Sequence, residues 1–582
     1  MICTNRLSGL CAIALLATSA ARADLDTPVV APAFADKLVV EPVAALAVQP
    51  AQLAWGPDRR LYMMTVSGGG VIRYDYDTRT GTVSNPRTVV PDVYGVGIAF
   101  HGTNMYISTF GGAIRKIRDN DGDGNWGEPG ETNVAVVTGI PEGDHSINQL
   151  VVRGNTLYVG IGRRTINGRK GDLTAGSFSD TPGDNGFWGG GNGTSWGDCI
   201  YGGTIAWIKD LRTVANTEGS ANAYADTTRT QAFIQTDDSP FQPQNVSRTD
   251  KLLIHSAGTR NPFGLCLDRD GNLFFTSNFN RTATNGDGTS GFGHSRDNAG
   301  PDFSRDVHDQ AFRAIQGGDY GYADDNWRPT SPGYTGPGVL PFLDPLRPGY
   351  NRVTSLTFDN LFQNNNYVLH DPANPNGLGP HASANGCGFF FGAGMPPELA
   401  GDLFVTRFQD GVTEATGDGT TLSYSDVVAV DVTTGQVRRV VQGFRNPLCM
   451  LYDNAGRLLI ADYATRASGS GGLYSLRPRI TRLGMRTSLT RQGGEIVAQV
   501  FVTNSGDNGA TGVALTQARL GTTAATTTLP LPVADVAPGG ETPAVIVRFP
   551  AARFAPGSTT FLSLTARHSG GVFTIRRQVR IP

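Results

Sequence analysis

A strand-turn-strand pattern recurs six times along the chain, and this repetition limits the fold more than any other feature. Each copy has an apolar strand, a turn containing Asp, Asn or Gly, and a second strand of the type L-Y-V or L-F-V. The copies are QLAWGPDRRLYMMTV from Gln52, GVGIAFHGTNMYIST from Gly95, INQLVVRGNTLYVGI from Ile147, PFGLCLDRDGNLFFTSN from Pro262, GCGFFFGAGMPPELAGDLFVT from Gly386 and PLCMLYDNAGRLLIAD from Pro447. Such short strands bury both faces only when their sheets stack on one another, so the pattern predicts a six-bladed β-propeller.

A third strand follows several copies and begins after a pair of glycines. It reads GGGVIRY from Gly68, GGAIRKI from Gly111, GGTIAWI from Gly202 and GGLYSL from Gly471. The 76 glycines and 34 prolines supply the tight turns that an all-β fold needs. The copies are unevenly spaced, which predicts long insertions, chiefly residues 209–254 and 280–350, and insertions on a propeller usually build its binding face.

The sequence changes character near Arg479, where Thr, Ala and Val alternate between Gly-Gly and Pro-Gly turns. Alternation with a period of two residues predicts a small antiparallel sandwich. The stretch VTNSGDNGATGV within it resembles Ig-like (CARDB-like) modules. We therefore expect an all-β chain: a signal peptide at 1–23, a six-bladed propeller at 24–478 and an Ig-like β-sandwich at 479–582.

The N-terminus has the layout of a secretory signal peptide, with Arg6, an apolar run over residues 7–17 and the cleavage pattern Ala21-Arg22-Ala23. We therefore expect a secreted or periplasmic protein. The formal charge of −3, without a Lys- and Arg-rich run, argues against a nucleic-acid partner. No later segment is long and apolar enough to span a membrane. Cys266 and Cys449 lie in apolar strands, which predicts buried, unreactive thiols.

The segments AGTRNPFGLCLDRDGNLFFTSN, GPDFSRDVHDQAFRAIQGGDYGY, GPHASANGCGFFFG and GFRNPLCMLYDNAGRLLIAD together resemble the soluble glucose/sorbosone dehydrogenase family. The similarity extends over about residues 45–477. Members of that family bind pyrroloquinoline quinone (PQQ) and a calcium ion on the top face of a propeller, and they oxidise sugar hydroxyls or aldehydes. The resemblance thus implies PQQ and Ca²⁺ as cofactors, a small-molecule sugar as substrate and a separate electron acceptor.

His145, in GIPEGDHSINQLVV, stands just before a predicted inner strand, where the resembling family keeps its general base. An imidazole, with an unperturbed pKa of about 6.5, can take a proton from a sugar hydroxyl while hydride leaves for the quinone. Taken alone, the residue also fits an exposed loop histidine. The family supports its base with an aspartate directly after the next strand, whereas here the strand LYVGIG is followed by Arg163 and Arg164.

Arg260 and Asn261 match the pair that contacts the cofactor in the resembling family. A guanidinium can hold quinone carboxylates or the developing quinol oxyanion, and Asn supplies both a donor and an acceptor. The same R-N-P sequence recurs at Arg445, so it also fits a simple turn that opens a blade. The resemblance further implies cations in the last blades that hold the cofactor, for which Arg407 and Arg445 are the nearest candidates.

Two more segments match the family. Gly300 and Pro301 occupy the place where its members offer backbone carbonyls to the calcium ion at the cofactor. His381 and Asn385 lie in PHASANG, a loop that borders the central channel, where they either contact the bound cofactor or substrate or cap the turn.

The loop RDNDGDGNWGEPGE carries Asp119, Asp121 and Asp123 at alternate positions, followed by Gly124. Three carboxylates that converge on one side of a turn repel one another unless a cation lies between them. The twelfth position is Gly130, so the loop is not an EF-hand. A structural calcium site and a solvated acidic turn both fit this pattern.

Two functions remain open from the sequence. The first is a PQQ- and Ca²⁺-dependent dehydrogenase of sugars or related alcohols and aldehydes. The second is a non-catalytic propeller that binds a glycan or a protein, which the arginine at position 163 favours. A lactone hydrolase would require several acidic side chains around one metal in the channel, and the sequence provides no such set. The oligomeric state is left open.

Overall fold

The structure is a computed structural model. It describes residues 25–140, 145–162, 203–216, 252–256, 259–278, 309–316, 378, 382–408, 425–465 and 470–582, together with seven short strand segments between them. These residues form two compact units, the first made mainly of 40–393 and 397–477, and the second of 478–582 with 32–39 and 394–396. In the part of the chain that is described, no helix is long and apolar enough to cross a membrane.

The first unit is built from antiparallel sheets that follow one another in chain order, numbered here as blades 1 to 6. Their strands, with the short segments between them, are β1 (Val29–Val30), β2 (Leu38–Ala45), β3 (Gln49–Trp55), β4 (Leu61–Ser67), β5 (Val71–Asp77), β6 (Thr82–Val90), β7 (Gly95–His101), β8 (Asn104–Thr109), β9 (Ala113–Arg118), β10 (Thr132–Thr138), β11 (Ile147–Arg153), β12 (Thr156–Ile161), β13 (Gly189–Gly190), β14 (Thr194–Ser195), β15 (Thr204–Ile208), β16 (Ala221–Asn222), β17 (Leu253–Ser256), β18 (Asn261–Leu267), β19 (Leu273–Asn278), β20 (Gln310–Arg313), β21 (Gly318–Asp319), β22 (Asn351–Arg352), β23 (Ala384–Phe389), β24 (Leu403–Arg407), β25 (Thr413–Ala415), β26 (Thr421–Ser423), β27 (Asp426–Val430), β28 (Val437–Gln442), β29 (Pro447–Tyr452), β30 (Leu458–Asp462) and β31 (Gly472–Pro478).

Four blades have four strands in chain order from the inside outward, namely β3 to β6, β7 to β10, β11, β12, β15 and β17, and β23, β24, β27 and β28. A short fifth strand is added at the outer edge of two of them, where β16 pairs with β10 and β1 pairs with β28. Blade 4 is described by β18 to β20. Blade 6 consists of β29 to β31 and is completed on its outer edge by β2 from the N-terminal part of the chain. The six-bladed propeller is thus confirmed, as are the third strands that follow a glycine pair.

The innermost strands close a ring, because β3, β7, β11, β18, β23 and β29 each contact the innermost strand of the next blade and β29 contacts β3. In every blade the chain enters at the innermost strand and continues outward, so all six innermost strands run in the same direction and begin at the same end of the ring. Accordingly, the side chain of Gln52 accepts the N–H groups of Ile98 and Leu150, and these three are the fourth residues of β3, β7 and β11. We call this end the strand-start rim; it is marked by the first residues of these strands, Gln49, Gly95, Ile147, Asn261, Ala384 and Pro447.

Every innermost strand is irregular near its start. The register with the second strand shifts between Ile147 and Leu150 in blade 3, and comparable shifts occur within the first five residues of the other five innermost strands. A bulge of this kind re-aims side chains. The strands also approach one another closely: a Cβ on Gly264 would lie 2.0 Å from the carbonyl oxygen of Asn385 in the next blade. Only glycine fits where two backbones meet in this way.

Hydrophobic clusters fill the spaces between blades. In the described residues they join blades 1 and 2, 2 and 3, 3 and 4, 4 and 5, and 6 and 1. Burying one large apolar side chain in such a cluster contributes about 1.5–3 kcal/mol. Cys266 and Cys387 lie together in the cluster between blades 4 and 5, and Cys449 lies between blades 6 and 1. All three are free and buried, as predicted for Cys266 and Cys449.

The second unit contains a β-sandwich with one hydrophobic core, which includes Ile496, Val500, Leu515 and Leu562. Its strands are β32 (Leu483–Gln492), β33 (Glu495–Asn504), β34 (Ala514–Leu520), β35 (Thr523–Ala524), β36 (Leu531–Pro532), β37 (Val545–Pro550), β38 (Thr559–His568) and β39 (Gly571–Arg580). One sheet has the order β32-β33-β37 and the other β35-β34-β38-β39, with β36 paired to β34. The sandwich is confirmed, and its Ig-like character stays a prediction.

Helical structure in the described residues is limited to single turns of 3₁₀ helix. These are Pro32–Phe34, Leu211–Thr213, Pro397–Leu399 and Ala551–Arg553. The predicted insertions at 209–254 and 280–350 lie mostly outside the described residues.

The contact at Gly264 predicts a large loss of stability on substitution. Gly264→Ala forces two blades apart, and we expect the free energy of unfolding to fall by roughly 1–3 kcal/mol or more. Denaturant titration followed by circular dichroism measures this loss. The matched control is Gly388→Ala, because the nearest atoms to a Cβ there belong to the flexible side chain of Met450, at 3.2 Å. Equal losses in the two variants would contradict the account.

Candidate functional site

His145 and Asn261 meet at the strand-start rim of blades 3 and 4. His145 lies two residues before β11, and Asn261 is the first residue of β18. Gly162, directly after β12, lies between them: a Cβ built on it would be 2.2 Å from the Cβ of His145 and 2.8 Å from Oδ1 of Asn261. The structure therefore brings together the predicted base and one predicted cofactor ligand, and a larger residue at position 162 would separate them.

The position of Gly162 carries an aromatic side chain in three other blades. In each case the backbone N–H at this position donates to the carbonyl of the residue that precedes the innermost strand, which makes the positions equivalent. These bonds run from Phe110 to Tyr94 at 3.0 Å, from Gly162 to Ser146 at 2.9 Å, from Phe408 to Ser383 at 3.0 Å and from Tyr463 to Asn446 at 2.8 Å. Blade 3 thus leaves space at the rim, and His145 uses it.

Three buried asparagines connect blades 3, 4 and 5 beside this pair. Asn148 Nδ2 donates to Oδ1 of Asn261 at 2.8 Å, and Asn261 Nδ2 donates to Oδ1 of Asn278 at 2.8 Å. Asn278 Nδ2 then donates to the carbonyl of Ala384 at 2.9 Å. The chain of amides fixes the orientation of Asn261. Sequence reasoning missed Asn148 and Asn278, although both lie at strand ends, Asn148 at the start of β11 and Asn278 at the end of β19.

Arg260 precedes Asn261 at the rim and is only 5% exposed. The turn that carries it is held by the N–H of Thr259, which donates to the carbonyl of Gly203 at 3.1 Å. The structure therefore brings the cation of the predicted pair into the protein interior next to Asn261.

Arg445 opens blade 6 with the second R-N-P turn. The backbone N–H groups of Arg445 and Asn446 donate to the two carboxylate oxygens of Asp462, at 3.0 and 2.7 Å. The guanidinium of Arg445 donates to the carbonyl of Thr465 at 2.9 Å. Asp462 is fully buried at the end of β30, and sequence reasoning did not single it out. Burial raises its pKa to about 7, against the lowering effect of the two backbone N–H donors.

Arg407 does not present an exposed charge to the rim. It is fully buried, and its Nε and Nη2 donate to the two oxygens of Asp426 at 2.7 and 2.5 Å. Its Nη1 donates to the carbonyl of Leu378 at 3.1 Å, and Arg439 pairs with the same Asp426 at 2.7 Å. A buried, bidentate pair of this kind is broken only at high cost. The described geometry gives Arg407 a structural role, and its predicted contact with a cofactor stays a prediction.

Asn385 is buried, with 4% exposure. Its Nδ2 donates to Oγ of Ser383 at 3.3 Å, and its carbonyl accepts the hydroxyl of Thr276. These contacts show a side chain that caps its own turn, one of the two predicted roles. His381, Gly300, Pro301, Arg163 and Arg164 lie outside the described residues, so their roles stay predictions.

The acidic loop lies between β9 and β10 in blade 2. One carboxylate oxygen from each of Asp119, Asp121 and Asp123 lies within 4.8 Å of the others. Asp119 accepts the N–H groups of Gly122 and Gly124 at 2.6 and 2.8 Å, which tightens the turn. Three converging carboxylates are a donor set that suits a hard cation such as Ca²⁺. The calcium ion itself stays a prediction.

Comparisons with known proteins give only distant similarities. No protein-family model and no curated protein matches the chain. Among solved structures, it is similar to the holo PQQ domain of pyranose dehydrogenase from Coprinopsis cinerea, at 13% identity over 78% of this chain and 97% of that one, with a TM-score of 0.44. It is also similar to PQQ-bound aldose sugar dehydrogenase from Streptomyces coelicolor, at 15% identity, 76% and 99% coverage and a TM-score of 0.38. Similarities this low carry no argument about function.

The raised pKa of Asp462 predicts a pH dependence of stability. Because its folded pKa of about 7 exceeds the ordinary 3.8, the folded state binds the proton more tightly. The contribution of Asp462 to the free energy of unfolding is therefore complete below about pH 4 and is lost as the pH rises through about 7. Urea unfolding at successive pH values should show a fall of up to about 1.4 kcal/mol per pH unit from this group.

The variant Asp462→Asn should remove this part of the dependence of the unfolding free energy on pH, even if it also changes the unfolding free energy at every pH. Asp270→Asn, at an exposed carboxylate, serves as the control and should leave the slope unchanged. The same slope in wild type and Asp462→Asn would contradict the assignment.

The acidic loop predicts that calcium stabilises the propeller. An ion that binds only the folded state at 100 times its dissociation constant adds about 2.7 kcal/mol. We expect the melting temperature to fall on chelation and to recover with Ca²⁺, and the double variant Asp121→Asn/Asp123→Asn to abolish this response. Asp92→Asn, an exposed carboxylate before β7, is the control. A melting temperature that chelator does not change would exclude a structural ion.

Proposed function

We propose that the chain is an exported quinoprotein dehydrogenase that oxidises a sugar or a related alcohol or aldehyde by hydride transfer to PQQ with the assistance of Ca²⁺. The observation that carries the proposal is the meeting of His145 and Asn261 across Gly162 at the strand-start rim. The R-N-P and PHASANG segments, with their resemblance to glucose/sorbosone dehydrogenases, support it.

The described residues at the rim suit an anionic quinone. Arg260 and Arg445 supply guanidinium groups, and the amide of Asn261 is held in one orientation by Asn148 and Asn278. These groups would bind the carboxylates and ring oxygens of PQQ, because guanidinium pairs with carboxylate in a bidentate manner. When bound, PQQ supplies the hydride acceptor that no amino-acid side chain offers.

His145 takes the proton in this proposal. A neutral imidazole nitrogen accepts the hydroxyl proton of the substrate as the C–H bond gives up its hydride, so the carbon becomes a carbonyl carbon and charge balances. The backbone of Gly162 lies against the Cβ of His145 and so holds this residue at the rim beside Asn261. The hydrogen bonds from Asn148 and to Asn278 hold the amide of Asn261 in one orientation beside His145. A fixed amide at this place would orient substrate and cofactor relative to the base.

A non-catalytic propeller that binds a glycan or a protein is the second candidate. Two observations favour it: Arg163 follows LYVGIG where the resembling family has an aspartate, and the charge of Arg407 is already matched by Asp426. In that function the rim would serve as a binding surface, as propeller rims readily do.

Quinone uptake and turnover separate the two candidates. Purified full-length protein is titrated with PQQ in the presence of Ca²⁺ while the quinone absorbance is followed, and dye reduction is then measured with a panel of aldoses. We expect saturable binding, and we expect His145→Ala to reduce turnover by about 10²–10⁴-fold while quinone uptake is retained.

His101→Ala is the matched control for this experiment. His101 ends β7 at the opposite end of the ring, where its Nε2 is 2.9 Å from Oδ1 of Asn155. Turnover should survive this change. Failure to bind PQQ at micromolar concentration would reject the dehydrogenase in favour of the non-catalytic propeller. Equal loss of uptake and turnover in His145→Ala would reject His145 as the base.

A further inference from the structure

Charge is distributed very unevenly along the chain. Residues 479–582 contain eleven arginines, no lysine and four acidic residues, a formal charge of +7, so the −3 of the whole chain leaves −10 on residues 1–478. A positive charge this concentrated in a small domain indicates attraction to a polyanion.

Four of these arginines share one face of the sheet formed by β34, β38 and β39. Side chains alternate between the two faces of a strand, and Leu562, Leu564 and Ala566 of β38 point into the core. The intervening residues face outward, and the pairing register aligns them with the exposed arginines of the neighbouring strands. The outward face, named here the arginine face, comprises Arg519, Arg567, Arg576 and Arg580 with Gln517, Thr559, Phe561, Ser563, Thr565, Val572, Thr574 and Gln578.

The arginines of this face are not neutralised by carboxylates. The strands β34, β38 and β39 contain no Asp or Glu, and in the described residues none of the four guanidinium groups forms an ion pair. The other sheet differs, since Arg486 pairs with Glu541 at 2.5 Å and Arg548 with Glu495 at 2.8 Å. The two sheets of one sandwich thus differ sharply in the charge that they offer to solvent.

The arrangement is regular. Arg519 and Arg576 pair with Ser563 from opposite sides, which sets their Cα atoms about 10 Å apart across three strands. Hydroxyl and amide side chains fill the space between the arginines, and Thr565 and Thr574 are in hydrogen-bond contact at 2.9 Å. Guanidinium groups bind carboxylates in a bidentate manner, while the hydroxyls and amides are suited to sugar hydroxyls.

We propose that the arginine face binds an acidic polysaccharide that carries carboxylate groups. Nucleic acid fits less well, because Phe561 is the one aromatic residue of this face and the guanidinium of Arg576, 4.5 Å from the ring centroid, already covers one side of its ring, which leaves little aromatic surface for base stacking. A membrane surface fits less well, because Phe561 and Val572 are the exposed large apolar side chains of this face and the rest is polar. All residues of the arginine face belong to the sandwich, and none takes part in the dehydrogenase chemistry proposed above.

Binding of full-length protein to immobilised polygalacturonate, at several salt concentrations, tests the proposal. We expect binding that weakens steeply with salt, as for any ligand held by several charges. The triple variant Arg519→Gln/Arg576→Gln/Arg580→Gln should bind at least about tenfold more weakly. The control removes the same charge from residues outside the arginine face, as Arg482→Gln/Arg486→Gln/Arg548→Gln, and should bind nearly as well as wild type. Unfolding midpoints of both variants check that the sandwich is intact.

Three results would overturn the proposal. The first is binding to polygalacturonate no stronger than to neutral dextran. The second is an equal loss in the two triple variants, since that would reflect net charge and not this face. The third is tighter binding, at the same ionic strength, to single-stranded DNA or to vesicles containing phosphatidylserine than to polygalacturonate.

Discussion

The whole propeller depends on backbone contact between neighbouring innermost strands. Between blades 4 and 5 and between blades 5 and 6 the innermost strands come close enough to exclude side chains at the point of contact, because a Cβ on Gly264 or Gly386 would fall within 2.5 Å of the next blade. The bulge near the start of each innermost strand belongs to the same geometry. Hydrophobic burial between blades supplies the free energy, but the glycine contacts decide how tightly the ring closes.

The candidate site follows from this constraint. Because the innermost strands begin at one rim, residues that are far apart in sequence, such as His145 and Asn261, become neighbours there. Gly162 leaves open a position that carries Phe110, Phe408 and Tyr463 in other blades. The side-chain amides of Asn148, Asn261 and Asn278 then form a chain of hydrogen bonds that links blade 3 to blade 5. The closed ring of strands therefore orients these polar groups, because each is attached by a short side chain to a backbone that the ring holds in place.

The fold could be predicted from the sequence to the extent that it repeats. The alternation of apolar and polar residues, together with the turn residues between the strands, predicts the first two strands of every blade and several third strands. These strands pair with neighbours in sequence, so short-range patterns are enough to find them. The strand β2 could not be found in this way, because its partner β31 lies more than 400 residues further along and its sequence, LVVEPVAA, carries no mark of that pairing. For the site, His145, Arg260 and Asn261 were found from motifs. The partnership of Arg407 with Asp426, and the control of the Arg445 turn by Asp462, are long-range contacts that local patterns do not encode.

A crystal structure of the full-length protein with PQQ and Ca²⁺ tests the central claim most directly, namely that ring closure builds one polar site at the strand-start rim of blades 3 and 4. We expect quinone density at that rim, with the imidazole of His145 and the amide of Asn261 both within hydrogen-bond distance of the ligand or of a bound sugar. Quinone bound elsewhere, or bound at the rim with His145 turned away from it, would contradict the account.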